Sequence, residues 1–245
     1  MLYNKYASSG NAPAHQATST ASTLFFGSSL ITGTIGAANV ESHIVAGDSV
    51  TFGEGDITGV GAKGSSGYIG RVFDKTGKPY VKFAKRGMSA SDFVALFASA
   101  NADLDPYLAL VNAAVTHLNN IYGVNDLRLG RTQTQLLADF QTIYGKFPGK
   151  VIAQSTLTNR TTSTDGWATI ENQTQRSDGN WGALTSVNTA IRAPQANVDI
   201  VIEASDAGST ARNSNIWQAA STGDGTHANT ARAAAMAAAI TYVPA

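Results

Sequence analysis

The chain has 245 residues, 43% of them hydrophobic and only 14% charged, with 17 Lys+Arg against 17 Asp+Glu. That length suits one α/β domain with a sizeable core plus an extra segment, and is too short for two full-sized domains. The balanced charge offers no basic field to gather nucleic acid or an anionic membrane. The absence of cysteine excludes disulfides, thiolate catalysis and Cys-ligated zinc.

Met1 to Thr20 is polar and lacks the basic start and unbroken apolar run of a signal peptide. Leu24 to Val40 is interrupted by Gly27, Gly33 and Gly36, so no membrane-spanning helix is expected there or elsewhere. Residues 1–40 read as an N-terminal extension of unknown role and residues 41–245 as the folded domain. The 24 glycines and the many Ser, Thr, Asn and Ala residues suit a loop-rich protein of extracellular or phage-associated type.

Ser42-His43-Ile44-Val45-Ala46 predicts a first strand running into Gly47-Asp48-Ser49, and Gly53 to Gly70 is expected to be loop. Pro79 to Phe83 alternates as a second strand, after which Ser89 or Ser91 can cap a helix reaching Ala100. Asp105-Pro106 opens another helix, with His117 expected at its end near the dipole. Leu118 to Tyr122 follows before Gly123. Thr132 to Tyr144 has helical spacing, Lys150 to Gln154 is a strand, and a long polar loop is expected from Thr156 to about Asp165. A weak helix contains Trp181 and Leu184 to Ile191. Val198 to Ile202 is a buried strand, and the alanine-rich stretch Ala228 to Ile240 closes the domain as a helix. Strands alternating with helices predict a parallel, doubly wound sheet covered on both faces. Sites in such sheets lie at the carboxyl ends of the strands.

The residues just after the strands, or in late loops, are Gly47-Asp48-Ser49, Gly87, Gly123-Val124-Asn125-Asp126 and Asp224-Gly225-Thr226-His227. Together they offer the parts of an acyl-transfer site. A serine hydroxyl needs a base to take its proton, and His227 supplies an imidazole able to do so. Asp224, three residues earlier, can accept from its Nδ1 hydrogen. The backbone amides of Ser49 and Gly87 and the side-chain amide of Asn125 can hold an oxyanion. Asp48 is expected to be a structural acceptor in its turn, and Asp126 to stabilise its own loop.

With these four blocks in this order the chain resembles the SGNH (GDSL-type) hydrolases. Val50 stands where the older consensus has leucine and Ala228 where many members have proline. The resemblance covers about Ser42 to Ile240 and implies a three-layer α/β/α sandwich, flavodoxin-like, with about five parallel strands. It also implies Ser49 as nucleophile, His227 as base, Asp224 as its orienting acid, and Ser49, Gly87 and Asn125 as the oxyanion hole.

Gly59 to Gly64 fits Gly-x-Gly-x-x-Gly but neither follows a strand nor opens a helix, and no metal-ligand cluster stands out. No cofactor is therefore expected. Trp167, Trp181 and Trp217 fall in or beside late loops, where Trp167 and Trp217 can contact substrate or simply pack, and Arg160 can bind a polar substrate group. The expected activity is hydrolysis of a small acyl ester, with an acylated carbohydrate as one substrate class. The alternative is a non-catalytic glycan-binding or structural module of a secreted or phage-tail assembly.

Overall fold

A computed structural model describes residues 41–56, 66–98, 104–240 and 242–244. The expected N-terminal extension and the Gly59 to Gly64 pattern lie outside them. The parallel strands are β1 (His43–Gly47), β2 (Tyr80–Ala84), β3 (His117–Asn120), β4 (Val151–Ser155) and β7 (Ile200–Ile202). They run in the order β2-β1-β3-β4-β7, and a short antiparallel strand, β8 (Tyr242–Pro244), adds the sixth position beside β7. A separate antiparallel hairpin joins β5 (Thr161–Ser163) to β6 (Gln173–Gln175).

The sheet is covered on both sides, as its composition demands. Successive residues of β1 feed opposite cores: Ile44 and Ala46 pack into one cluster and Val45 into the other. The first cluster takes residues from α3 (Ala90–Ala95), α4 (Leu104–Ala114), α5 (Val124–Arg128), α6 (Gln133–Gly145) and α7 (Leu184–Arg192). The second takes Tyr68, Ile69, Val72 and Phe73 of α2 (Gly67–Thr76) and Met236 and Ala237 of α9 (Thr230–Ala239). This is the three-layer α/β/α sandwich. Among the described residues no helix is long and apolar enough to cross a membrane.

Local chemistry accounts for the helix boundaries. Ser89 caps α3 and Thr132 caps α6, each with a reciprocal bond from Asp92 or Gln135. Asn229 caps α9 by accepting from the Arg232 amide. β3 is polar for a central strand, yet its buried amides are satisfied: Asn119 donates to the Ile44 carbonyl at 3.2 Å and Asn120 to Gln154 Oε1 at 2.7 Å.

Four expectations are corrected. The stretch Gly53 to Gly70 is not all loop, because α2 starts at Gly67: the segment's glycines hid an apolar helical face that begins at Tyr68 and Ile69. The helix capped by Ser89 ends at Ala95 and does not reach Ala100. His117 is the first residue of β3 and ends no helix. The loop after β4 contains β5, whose partner β6 lies ten residues on, too far for a short-turn signal.

Candidate active site

The site starts from the tight turn after β1. A Cβ at Gly47 would stand 2.0 Å from Thr51 Oγ1, so only glycine lets the chain turn there. Asp48 then caps α1 (Ser49–Phe52), its Oδ1 accepting from the Val50 amide at 2.8 Å. That cap makes Ser49 the first helical residue, 8% exposed at the carboxyl end of the sheet.

The loop before α9 brings His227 to it. Asp224 Oδ1 accepts from the Thr226 and His227 amides at 2.8 and 2.9 Å, which folds four residues into one turn. Its Oδ2 then lies 2.6 Å from His227 Nδ1, and His227 Nε2 lies 2.8 Å from Ser49 Oγ. Burial works against ionisation of Asp224, but the His227 side chain and the two amides outweigh it and hold the carboxyl well below the usual carboxylate range. An ionised Asp224 keeps the hydrogen on Nδ1 and leaves Nε2 as an acceptor for the serine hydroxyl.

The third block arrives on α5. Gly123 has φ +134°, and a Cβ there would stand 2.5 Å from the Leu157 side chain. Asn125 Nδ2 donates to Asp48 Oδ2 and to the Met88 carbonyl, both at 3.1 Å. Asn125 is thus bonded to the residue before Ser49 and to the residue after Gly87. Gly87 adopts φ +77° in the turn leading to α3. The structure therefore gathers Ser49, Asp224 and His227 into one hydrogen-bonded chain and draws Asn125 and the Gly87 turn to its start.

One acidic neighbour, with its arginine partner, escaped the sequence reading. Glu54 Oε2 lies 3.9 Å from His227 Nε2, and Glu54 pairs through both carboxylate oxygens with Arg86, the residue before Gly87. Asp126 does not serve its own loop: it accepts from the amides of Ala90 and Ser91 at 2.8 and 3.2 Å and so ties α5 to the start of α3. Asp48 is fully buried. Burial pushes its carboxyl up to about 7, against the opposing pull of the Val50 amide and His227. No local signal flagged Glu54, because Arg86 and His227 are distant from it in sequence.

The aromatic expectations divide. Trp217 is 1% exposed and its Nε1 donates to the Gly225 carbonyl at 3.0 Å, so it packs and holds the Asp224–His227 turn and has no open face to stack on a substrate. Trp181 is equally buried, with the Arg160 guanidinium 5.6 Å over its ring. Trp167 is half-buried, donates to Thr161 Oγ1 at 2.9 Å and packs its ring where a Gly225 side chain would go. Behind His227 a crevice of about 10 Å³, lined by Tyr68, Thr158, Trp217 and Met236 among others, has room for about one water. Among the described residues no group of His, Asp and Glu could hold a metal ion.

No protein-family model and no curated protein sequence matches the chain. Solved structures do. A protein assigned to the lipolytic G-D-S-L family from Desulfitobacterium hafniense DCB-2 aligns at a TM-score of 0.57 with 12% identity, over 82% of this chain and 97% of that one. A member of the same family from Veillonella parvula DSM 2008 aligns at 0.54 with 16% identity, over 81% and 94%. Est24, a carbohydrate acetylesterase from Sinorhizobium meliloti, aligns at 0.51 with 14% identity, over 80% and 94%. Likeness at these identities establishes the fold, which is that of the SGNH hydrolases.

Proposed function

We propose that this protein is a serine esterase that removes a small acyl group, with an acetylated carbohydrate as the substrate class to test first. The observation that carries the reading is the continuous chain Asp224 Oδ2, His227, Ser49 Oγ, with links of 2.6 and 2.8 Å. In this scheme Ser49 Oγ attacks the ester carbonyl as His227 Nε2 takes its proton, and Asp224 stabilises the resulting imidazolium. The tetrahedral oxyanion is held by the Ser49 and Gly87 amides and by Asn125. As it collapses, the C–O bond to the alcohol breaks and His227 returns the proton to the leaving oxygen. A water, deprotonated by the same imidazole, then hydrolyses the acyl-serine. The acetyl preference draws support from the carbohydrate acetylesterase that shares this fold.

The experiment is hydrolysis of p-nitrophenyl acetate and longer-chain esters by the wild type and by Ser49→Ala. The expected outcome is activity that falls with chain length and drops by up to about a million-fold in the variant, as in a triad that acts as a unit. No hydrolysis of any ester, or equal hydrolysis by both proteins, overturns the reading and favours a non-catalytic binding module.

A further inference from the structure

Two elements beside the candidate site carry arginines: α5, which bears Asn125, and the β5–β6 hairpin, whose Thr161 amide donates to the Gly225 carbonyl at 2.9 Å. Arg128 closes α5, one turn beyond Asn125. Arg160 precedes β5 and Arg176 follows β6, and the Arg176 amide donates to the Arg160 carbonyl at 3.1 Å, which pins the two positions together at the base of the hairpin. The segment after β6 lies across the end of α5: the Asn180 amide donates to the Leu127 carbonyl at 2.7 Å, and Gly179 packs so closely on Arg128 that a Cβ would stand 2.7 Å from its Cα.

The charge among these side chains is unbalanced. Asp178 takes Arg160 at 3.4 Å and Arg176 at 3.2 Å, and its own side chain is 46% exposed. Arg160 is 14% exposed, and its buried Nε has no hydrogen-bond partner. Burial depresses the Arg160 pKa, and repulsion from Arg176 and Arg128 adds to that effect against the attraction of Asp178 and Asp224. Arg160 thus lies within electrostatic reach of α5 on one side and of the Asp224–His227 turn on the other. Two of the guanidiniums share the half-exposed Asp178 carboxylate, and Asp224 is the other carboxylate that attracts Arg160.

We propose that Arg128, Arg160 and Arg176 form an anion subsite that selects esters carrying a carboxylate or phosphate near the scissile bond. The proposal rests on the esterase reading and narrows its substrate class. Guanidinium forks match carboxylate and phosphate oxygens in paired hydrogen bonds. An anionic substrate group would offset the positive charge of the cluster, whereas a neutral ester does not.

The test compares 4-acetoxybenzoate and 4-acetoxyphenyl phosphate with neutral 4-acetoxybenzamide. The expected result is a kcat/KM at least about tenfold higher for one of the anionic esters at low salt, with the better of the two identifying the anion. That ratio should shrink as salt is raised and collapse toward one in Arg160→Gln, with Arg176→Gln, at a position more open to solvent, and Arg128→Gln as further variants. Equal rates on all three esters by an active wild type overturn the anion subsite and leave the esterase reading standing. If no ester is hydrolysed, the esterase reading fails, and titration of Ser49→Ala with 4-hydroxybenzoate and 4-hydroxybenzamide decides the subsite separately. Tighter binding of the benzoate, lost in Arg176→Gln, supports it, and equal binding overturns it.

Discussion

Asn125 has two amide hydrogens and two internal acceptors, Asp48 Oδ2 and the Met88 carbonyl, each at 3.1 Å. An oxyanion forming over Ser49 must therefore draw one of these bonds to itself, and the Met88 bond is the one whose loss leaves the amide still held by Asp48. The amide is then preorganised toward Ser49 by the carboxyl next to it in sequence, a relation invisible to any reading of the two motifs as separate blocks. Asn125→Ala should lower kcat for p-nitrophenyl acetate by about 100-fold or more, as loss of one oxyanion donor does, in a protein that still folds. Wild-type turnover in a folded variant would remove Asn125 from the site. At this scale the sequence was informative about which residues meet, because Ser49, Asn125, Asp224 and His227 each sit in a short motif. It was silent about Glu54, whose approach to His227 depends on the turn after α1 and on the ion pair with Arg86.

The β5–β6 hairpin and its flanking loop hold the turn that carries His227. The Gly225 carbonyl accepts from the Thr161 amide at 2.9 Å and from Trp217 Nε1 at 3.0 Å, so the centre of the Asp224–His227 turn is clamped from two sides. Gly225 has φ +77°, and a Cβ on it would stand 2.0 Å from the Thr161 carbonyl oxygen and 2.8 Å from the Trp167 ring. Gly225→Ala must therefore push the turn off the hairpin. Since a displacement of about 1 Å at a catalytic group can cost about 100-fold, the variant should lose about that much kcat, with His227 shifted in its crystal structure. Unaltered kcat would show that the clamp does not position the base. The hairpin itself was hard to see in advance: Thr-Thr-Ser and Gln-Thr-Gln are polar three-residue strands with no apolar alternation, whereas α6, with its Thr132 cap and apolar spacing, was legible residue by residue. The glycines around the start of α2 misled for the opposite reason, since Gly67 is needed where a Cβ would stand 2.8 Å from the Gly53 Cα.

For the whole molecule, the parallel sheet and its two-sided cover followed from the alternation of strands and helices, but the electrostatic balance across the sheet did not, because it depends on what packs together. β1 carries a buried titratable group at each end, and the two are shifted in opposite senses. At its start His43 is 2% exposed, with the rings of Phe73 and His117 at 4.7 and 4.4 Å. Burial, followed by His117 and Lys78 and against the pull of Glu41, pushes its imidazole down to about 3. Just past its end, Asp48 is pushed up to about 7. The unfolded chain binds a proton at His43 below an ordinary value of 6.5, while the folded protein refuses it, so the stability contributed by neutral His43 is complete above that pH and is lost as pH falls toward 3. For Asp48 the sign reverses. The folded protein holds a proton that the unfolded chain has released above 3.8, so the contribution is greatest in acid and is lost as pH rises through 7. Each difference amounts to about 1.4 kcal/mol per pH unit where one state is protonated and the other is not, or about 3 kcal/mol at most between pH 7 and 4.5. Urea unfolding at those two pH values should separate them. Relative to wild type, His43→Gln should gain stability on acidification, and Asp48→Asn should lose it. Parallel pH curves for the wild type and either variant would mean that the group titrates alike in the folded and unfolded chain, and that the buried end of β1 concerned is open to water.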